Sequence, residues 1–265
     1  MDLGLQDRGC AVTGASSGIG KATSVALARE GAAVLLIGRR EEPLADVARD
    51  CRQAGGRAET LALDVIAPDA GERVAESILT AFGRFDVLVN NAGTSSIRTL
   101  EQLTDEDWQA QWELNVMGPM RLMRAAAPEM AKRGWGRIVN VSSSSGKRPS
   151  STNMAYSVAK AAELSLSRAF ADLYASQGVL INAVAPGPVG TGLWMAPGGM
   201  ADQAAEAQGK TREEVLEATA DRSPLGRFST DEEIAAVIAF LCSAAASNVA
   251  GAAWSADGGT VSVII

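Results

Sequence analysis

Apolar residues in this chain fall into short runs separated by longer stretches with a helical repeat. The runs at 9–13, 33–37, 58–63, 87–90, 136–141, 179–184 and 252–255 are rich in Val, Ile, Leu and Ala and carry few charges, as strands covered on both faces do. Between them the spacing predicts helices over 18–30, 42–54, 70–82, 105–133, 153–177 and 230–244. Gly31, Gly55, Gly83, Gly134 and Gly178 stand where five of these would end, and Ser229 or Thr230 is the expected N-cap of the last. Strand-helix alternation of this kind predicts an α/β fold, a doubly wound parallel sheet of about seven strands with helices on both faces. No linker or internal repeat divides the chain, so 1–265 reads as one domain. The long irregular stretch at 190–226 holds Gly190, Gly192, Gly198 and Gly199 and a polar helix-like piece at 206–222; a connection this long is the expected place for a substrate lid.

Composition narrows the chemistry. The 265 residues carry a net charge of −7 and no long basic run, so no nucleic-acid footprint is expected. Histidine is absent, which excludes Ser-His-Asp and Cys-His catalysis and the usual zinc sites; no metal is expected. Proton transfer must then fall to Tyr, Lys, Asp, Glu or Cys. Cys10, Cys51 and Cys242 are odd in number and far apart, and read as buried apolar residues of a reduced, cytoplasmic protein. The first ten residues, MDLGLQDRGC, lack the apolar core of a signal peptide, and no run approaches the ~18 apolar residues of a membrane span. The apolar end at 261–265 is expected to pack on something, such as another subunit.

The first run leads into Thr13-Gly14-Ala15-Ser16-Ser17-Gly18-Ile19-Gly20, which opens a helix. Glycines here let the backbone turn tightly and approach a pyrophosphate, while the helix N-terminus offers free N–H groups; the setting is that of a Rossmann-type dinucleotide site. The second run ends at Gly38-Arg39-Arg40, where an acid would bind a ribose 2′-hydroxyl and arginine suits a 2′-phosphate, favouring NADP over NAD. Tyr156 and Lys160 are spaced i, i+4, on one helix face about 6 Å apart along the axis, and an ammonium beside a phenol favours the phenolate. Ser143 follows the fifth run, Asn91-Ala92-Gly93 follows the fourth, and Pro186-Gly187-Pro188-Val189-Gly190-Thr191 follows the sixth. Asn115 is a polar residue among Trp112, Val116 and Met117 in a helical pattern. These elements would surround one crevice at the carboxyl ends of the strands.

Together the stretches TGASSGIG, Asp64-Val65, NNAG, Asn115, Ser143, YSVAK, PGPVGT, Pro224-Leu225-Gly226-Arg227 and Asp257-Gly258-Gly259 resemble the short-chain dehydrogenase/reductase family, single-domain type, in its 3-oxoacyl-carrier-protein reductase-like and secondary-alcohol or sugar-alcohol dehydrogenase branches. The resemblance runs from Gly9 to about Gly259 and implies roles. Tyr156 would be the general acid/base, and Lys160 would tune it and bind the nicotinamide ribose. Ser143 would bond the substrate oxygen, and Asn115 would hold a water linking Lys160 to solvent. Asp64 and Val65 would contact adenine, Asn91, Ala92 and Gly93 would line the cofactor, and Pro186, Gly187, Val189 and Thr191 would hold its carboxamide and phosphate region. Departures include Leu180-Ile181-Asn182 where Arg-Val-Asn is frequent, and Ser17 where NADP-dependent members often carry a basic residue.

The resemblance further implies a homotetramer built through the long helices, with Ala161, Ala162, Ala169 and Ala171 allowing close packing, and the C-terminal strand. Ser145, Asn153, Met154, Pro188, Trp194, Met195 and Met200 are the expected pocket wall. Trp and Met there favour an apolar or aromatic carbonyl compound, a hydrophobic ketone or secondary alcohol, as substrate, although Trp194 also reads as an anchor of the lid. The expected activity is hydride transfer between NADPH and such a ketone. The alternatives are an NAD-dependent sugar-alcohol or secondary-alcohol dehydrogenase, and a non-catalytic nucleotide-sensing scaffold on the same fold.

Overall fold

The computed structural model describes residues 2–262. Strands β1 (Gly9–Thr13), β2 (Ala33–Gly38), β3 (Arg57–Ala62), β4 (Val87–Asn90), β5 (Gly136–Val141), β6 (Val179–Pro186) and β7 (Ala253–Ala256) form one sheet in the order β3-β2-β1-β4-β5-β6-β7. Every pairing is parallel, with Thr13 opposite Ile37, Val12 opposite Val89, Asn90 opposite Asn140 and Pro186 opposite Ala256. The central strands carry apolar residues on both faces and are buried on both sides, whereas the edge strands β3 and β7 keep exposed residues such as Glu59 and Trp254. Cys10, Val12, Val34, Leu36, Val87, Val89 and Val139 pack on one side, with Leu27, Leu44, Ile234 and Ile238 of the helices. Ala11, Leu35, Ile37, Leu88 and Ile138 pack on the other, with Val74, Ile78, Leu122 and Met130.

The covering helices are α1 (Gly18–Arg29), α2 (Glu41–Gln53) and α11 (Asp231–Leu241) on the first side, and α3 (Ala70–Phe82), α5 (Gly118–Ala131) and α7 (Met154–Tyr174) on the second. Thr230 caps α11 in a capping box with Glu233. Gly83 and Gly178, at φ 73° and 80°, end their helical segments in the left-handed region. Strand order reverses between β1 and β4, and this is where an open α/β sheet forms its crevice.

Three expectations change. The helix expected over 105–133 is two helices, α4 (Asp105–Trp112) and α5, joined by a π-turn at Glu113–Met117. Pro119 has no amide hydrogen for the regular ladder, and Gly118 comes so near Val65 that a Cβ would lie 3.2 Å from its carbonyl oxygen. The polar piece expected at 206–222 is the end of one helix and the whole of another: α9 (Met200–Gln208) stops at Gly209, φ 62°, and α10 (Arg212–Ala220) starts from a Thr211–Glu214 capping box. Short helices α6 (Ser144–Lys147) and α8 (Gly192–Met195) complete the set. Ala171 is buried in the core under α7 rather than available to a partner. Of the apolar C-terminal stretch, Val261 is buried and 263–265 lie outside the described residues. No helix among the described residues is long and apolar enough to cross a membrane.

Candidate active site

The carboxyl edge of the sheet opens into a cavity of about 1030 Å³. Its floor begins where the turns after β1 and β4 are tied together. Thr13 Oγ1 accepts from the amides of Asn91 and Ala92 at 2.9 and 3.0 Å, and Asn91 Nδ2 donates to the Thr13 carbonyl at 3.0 Å. Glycine is required for this approach. Gly14 has φ 63°, and a Cβ on it would lie 2.9 Å from Ala92 Cα. Gly18, φ 51°, faces the side chain of Thr191. Ser17 caps α1 with no side-chain hydrogen bond, so the first amides of that helix are left for a ligand beside Ser16, Ser17, Gly18 and Ile19, all of which line the cavity.

At the β2–β3 end the lining continues through Gly38, Arg39, Arg40, Asp64 and Val65; at the β4 and β6 ends it includes Asn91, Ala92, Gly93, Pro186, Gly187, Pro188, Val189 and Thr191. Apart from Lys160, the charged groups of the lining are Arg39, Arg40, Arg148 and Arg222 against the single carboxylate of Asp64. A positive cavity in a chain of net charge −7 attracts an anionic dinucleotide. The glycine cradle, the uncapped helix start and this charge fit a nicotinamide dinucleotide, which supplies the hydride when bound.

The candidate reacting side chains come from the start of α6 and from α7. Ser143 is the N-cap of α6, and its Oγ accepts from the Ser145 amide at 3.1 Å. Tyr156 is half-buried on the first turns of α7, and its hydroxyl has no hydrogen bond among the described residues. Lys160 Nζ lies 5.9 Å from the Tyr156 ring centre and donates to the Val141 carbonyl and to Glu163 Oε2, both at 2.8 Å. Burial pulls the Lys160 ammonium down, but the Glu163 carboxylate, the Tyr156 phenol and the hydrogen bond to Glu163 outweigh it and leave Lys160 above the ordinary lysine value. Asn115 sits behind Gly93, in the π-turn. Its Nδ2 donates to the carbonyl and the Oε1 of Gln111 at 3.0 and 2.8 Å, while its buried Oδ1 has no partner among the described residues. A Cβ on Gly93 would lie 3.4 Å from that Oδ1 and 3.9 Å from Lys160 Nζ. An orphaned acceptor facing an ammonium across a glycine is the setting for a bridging water.

Among the expected pocket residues, Ser145, Asn153, Pro188, Trp194 and Met200 line the cavity, and Met154 and Met195 do not. Met154 is two residues from Tyr156, so the two do not share a helix face. Met195 ends α8 and packs toward Gly190. Gly20 and Asn115 also stand behind the lining; a Cβ on Gly20 would lie 2.2 Å from the Gly14 carbonyl oxygen. Trp194 both lines the cavity and meets Phe228 edge-on, with ring centres 5.4 Å apart. The sequence reading did not single out Gln111, Arg148, Arg222 or Glu163. For Glu163 a signal existed: 156, 160, 163 and 167 repeat on one face of a helix.

Fold and site together define a dinucleotide-dependent oxidoreductase with a Tyr-Lys pair at the sheet's carboxyl edge. The short chain dehydrogenase family model matches residues 9–199, and the chain belongs to that family, the NAD(P)-dependent short-chain dehydrogenases/reductases. It is 40% identical to cis-4-hydroxycyclohexanecarboxylate dehydrogenase of Sinomonas cyclohexanicum, over 99% of this chain and 100% of that protein. It is 36% identical to the 3-oxoacyl-(acyl-carrier-protein) reductase FabG of Thermotoga maritima, over 97% of this chain and 99% of that one. The structure of L-sorbose reductase from Gluconobacter frateurii, complexed with NADPH and L-sorbose, superposes with a TM-score of 0.92 at 35% identity and covers 100% of both chains.

Proposed function

We propose that the protein transfers hydride between NADP(H) and a ketone or secondary alcohol, with Tyr156 as general acid/base. The observation that carries this reading is the Ser143–Tyr156–Lys160 group beside the glycine cradle, with Asn115 behind Gly93. In the reductive direction the Tyr156 hydroxyl gives its proton to the carbonyl oxygen as hydride arrives at carbon, and Ser143 holds that oxygen by hydrogen bonding. Lys160 holds positive charge beside the phenol and is resupplied through the Asn115 side. Gly14 and Gly18 let the backbone approach the pyrophosphate, and the α1 amides bind it. Arg39 and Arg40 take a 2′-phosphate, which favours NADP; the NADPH-bound sorbose reductase supports that preference.

The substrate end has two characters. Ser144, Ser145, Ser150, Thr152 and Asn153 form a polar wall, and Leu193, Trp194, Met200 and Val215 form an apolar one. This supports a compact substrate with a mostly apolar body and a polar reacting end. Residues 190–226 act as its lid: α8, α9 and α10 put Trp194, Met200, Ala204, Val215 and Thr219 into the cavity. Gln203 Oε1 ties the lid to the loop after β4 by accepting from the Ile97 amide at 2.9 Å. Trp112, Val158, Leu173 and Trp254 are large exposed apolar residues on α4, α7 and β7, and support a homotetramer formed through those elements. The whole chain works as one catalytic domain in the cytoplasm.

The test is NADPH and NADH oxidation over a panel holding cyclohexanones with and without a carboxylate, L-sorbose and a β-ketoacyl thioester, with the corresponding alcohols in reverse. Turnover with an NADPH preference is expected. Tight cofactor binding with no turnover across the panel would replace this reading with a nucleotide-sensing scaffold.

A further inference from the structure

Tyr156, Lys160, Glu163, Ser167 and Ala171 follow one another at three- and four-residue steps down one face of α7. Glu163 does not line the cavity and is 1% exposed. A carboxylate in such a place carries a large desolvation cost unless it is paired. Packing alone does not call for it, since Ala159, Ser167 and Ala171 occupy neighbouring positions of the same buried face. Its one ion pair among the described residues is with Lys160, itself 3% exposed, at 2.8 Å.

The surroundings fix both partners. Lys160 Nζ also donates to the Val141 carbonyl, Ser142 Oγ donates to the Lys160 carbonyl at 2.9 Å, and Ser167 Oγ donates to the Glu163 carbonyl at 2.7 Å. Asn140 Nδ2 bonds Ser167 Oγ in turn. The groups acting on the pair are Tyr156 from its own helix and Ser142 from the end of β5. Of the charged residues on neighbouring elements, Glu113 of the π-turn pairs with Arg121 of α5, Asp107 of α4 pairs with Arg98, and Lys147 of α6 donates to the Ala253 carbonyl and Ser255. Among the described residues Lys160 makes no ion pair besides the one with Glu163.

We propose that Glu163 is a positioning residue of the proton-transfer group: it anchors the Lys160 ammonium, offsets part of that ammonium's field at Tyr156, and so sets the pH range in which Tyr156 exchanges its proton. The inference rests on Tyr156 being the acid/base. Its sign follows from charge. The ammonium favours the phenolate and the carboxylate behind it subtracts from that effect. Glu163→Gln keeps an oxygen to accept from Nζ but removes the negative charge, so the phenolate forms at lower pH. Glu163→Asp keeps the charge and loosens the anchor.

The experiment is the pH dependence of kcat for oxidation, by NADP⁺, of the secondary alcohol from the panel that turns over fastest. Wild type, Glu163→Gln, Glu163→Asp and Tyr156→Phe are compared, with NADPH affinity and Tm recorded for each. Glu163→Gln is expected to move the ionisation limb about one pH unit toward acid with NADPH affinity kept within about threefold. Glu163→Asp is expected to leave the limb in place and lower kcat. A Gln variant with a reduced Tm and an unmoved limb would reduce Glu163 to a structural role and overturn the inference. If the Gln variant does not fold, an Asp variant with unchanged kcat and limb would overturn it equally. Tyr156→Phe separates the two readings. Its retaining wild-type rate and limb would sink the acid/base assignment itself, whereas an inactive Phe variant beside an unmoved Gln limb would sink only the role given to Glu163.

Discussion

Replacing Gly14 with alanine tests whether the cofactor cradle is a steric requirement. Gly14 has φ 63°, a region in which an L side chain costs about 1–2 kcal/mol. The new Cβ would also lie 2.9 Å from Ala92 Cα and 2.9 Å from Asn91 Nδ2, nearer than Cβ atoms approach other atoms. The turn after β4 must then move. That strains the bonds of Asn91 to the Thr13 and Gly14 carbonyls and of Thr13 Oγ1 to the Asn91 and Ala92 amides, at about 1 kcal/mol each. With half of those bonds lost, the total is about 3 kcal/mol, or a Tm lowered by about 6 °C for a chain of this length. Gly83 is the control. It has φ 73° but nothing within 4 Å of a would-be Cβ, so Gly83→Ala carries only the backbone cost, about 1 kcal/mol and about 2 °C. Thermal unfolding of both variants and NADPH titration by fluorescence give the comparison. Gly14→Ala should lose about tenfold or more in NADPH affinity, and Gly83→Ala should not. Equal Tm losses and equal affinities in the two variants would refute the argument.

Arg39→Ala should weaken NADPH binding by about 10- to 100-fold, the worth of a charge-assisted bond, and leave NADH within about twofold; an equal loss for both cofactors would refute the 2′-phosphate reading. At the opposite edge of the sheet, burial pushes the Asp86 carboxyl up, but Arg84, the Gly9 amide and Arg8 outweigh it and hold it below the ordinary carboxylate value. That stabilisation is present above the unfolded-state value of ~3.9 and is lost as pH falls through the folded-state one. Asp86→Ala should therefore cost about 3–5 kcal/mol in urea unfolding at pH 7 and less at pH 3, and a pH-independent difference would contradict it. Cleavage by a protease within 190–226 should slow when NADPH and substrate are both bound; unchanged cleavage would count against a closing lid.

What the sequence disclosed followed from what sets a local signal. The central strands, buried on both faces, leave unbroken apolar runs, and these with the half-exposed edge runs located all seven strands to within two residues at either end. The turn from Thr13 to Gly20 was legible because close backbone approach excludes every side chain but glycine's hydrogen. The Tyr156–Lys160 pair was legible because helical periodicity places i and i+4 together. The features that escaped depend on contacts distant in sequence. Nothing local to 105–133 says that Gly118 must press against Val65, so the π-turn that points Asn115 inward read as plain helix. The polar character of α9 and α10 hid Ala204, Val215 and Thr219, which line the cavity beside the expected Met200. Glu163 was not singled out, because a glutamate three residues from a lysine is equally at home on a solvated helix face, even though its spacing from Tyr156 and Lys160 put it on theirs.

The proposed proton transfer depends on Tyr156, and the direct measurement is Tyr156→Phe assayed for cofactor binding and turnover on the same preparation. Removing one hydroxyl that has no hydrogen bond among the described residues should leave the fold and NADPH affinity within about threefold of wild type. It should lower kcat by about 100-fold or more, the contribution of a general acid/base. A Phe variant that binds NADPH and keeps most of its turnover would contradict the mechanism.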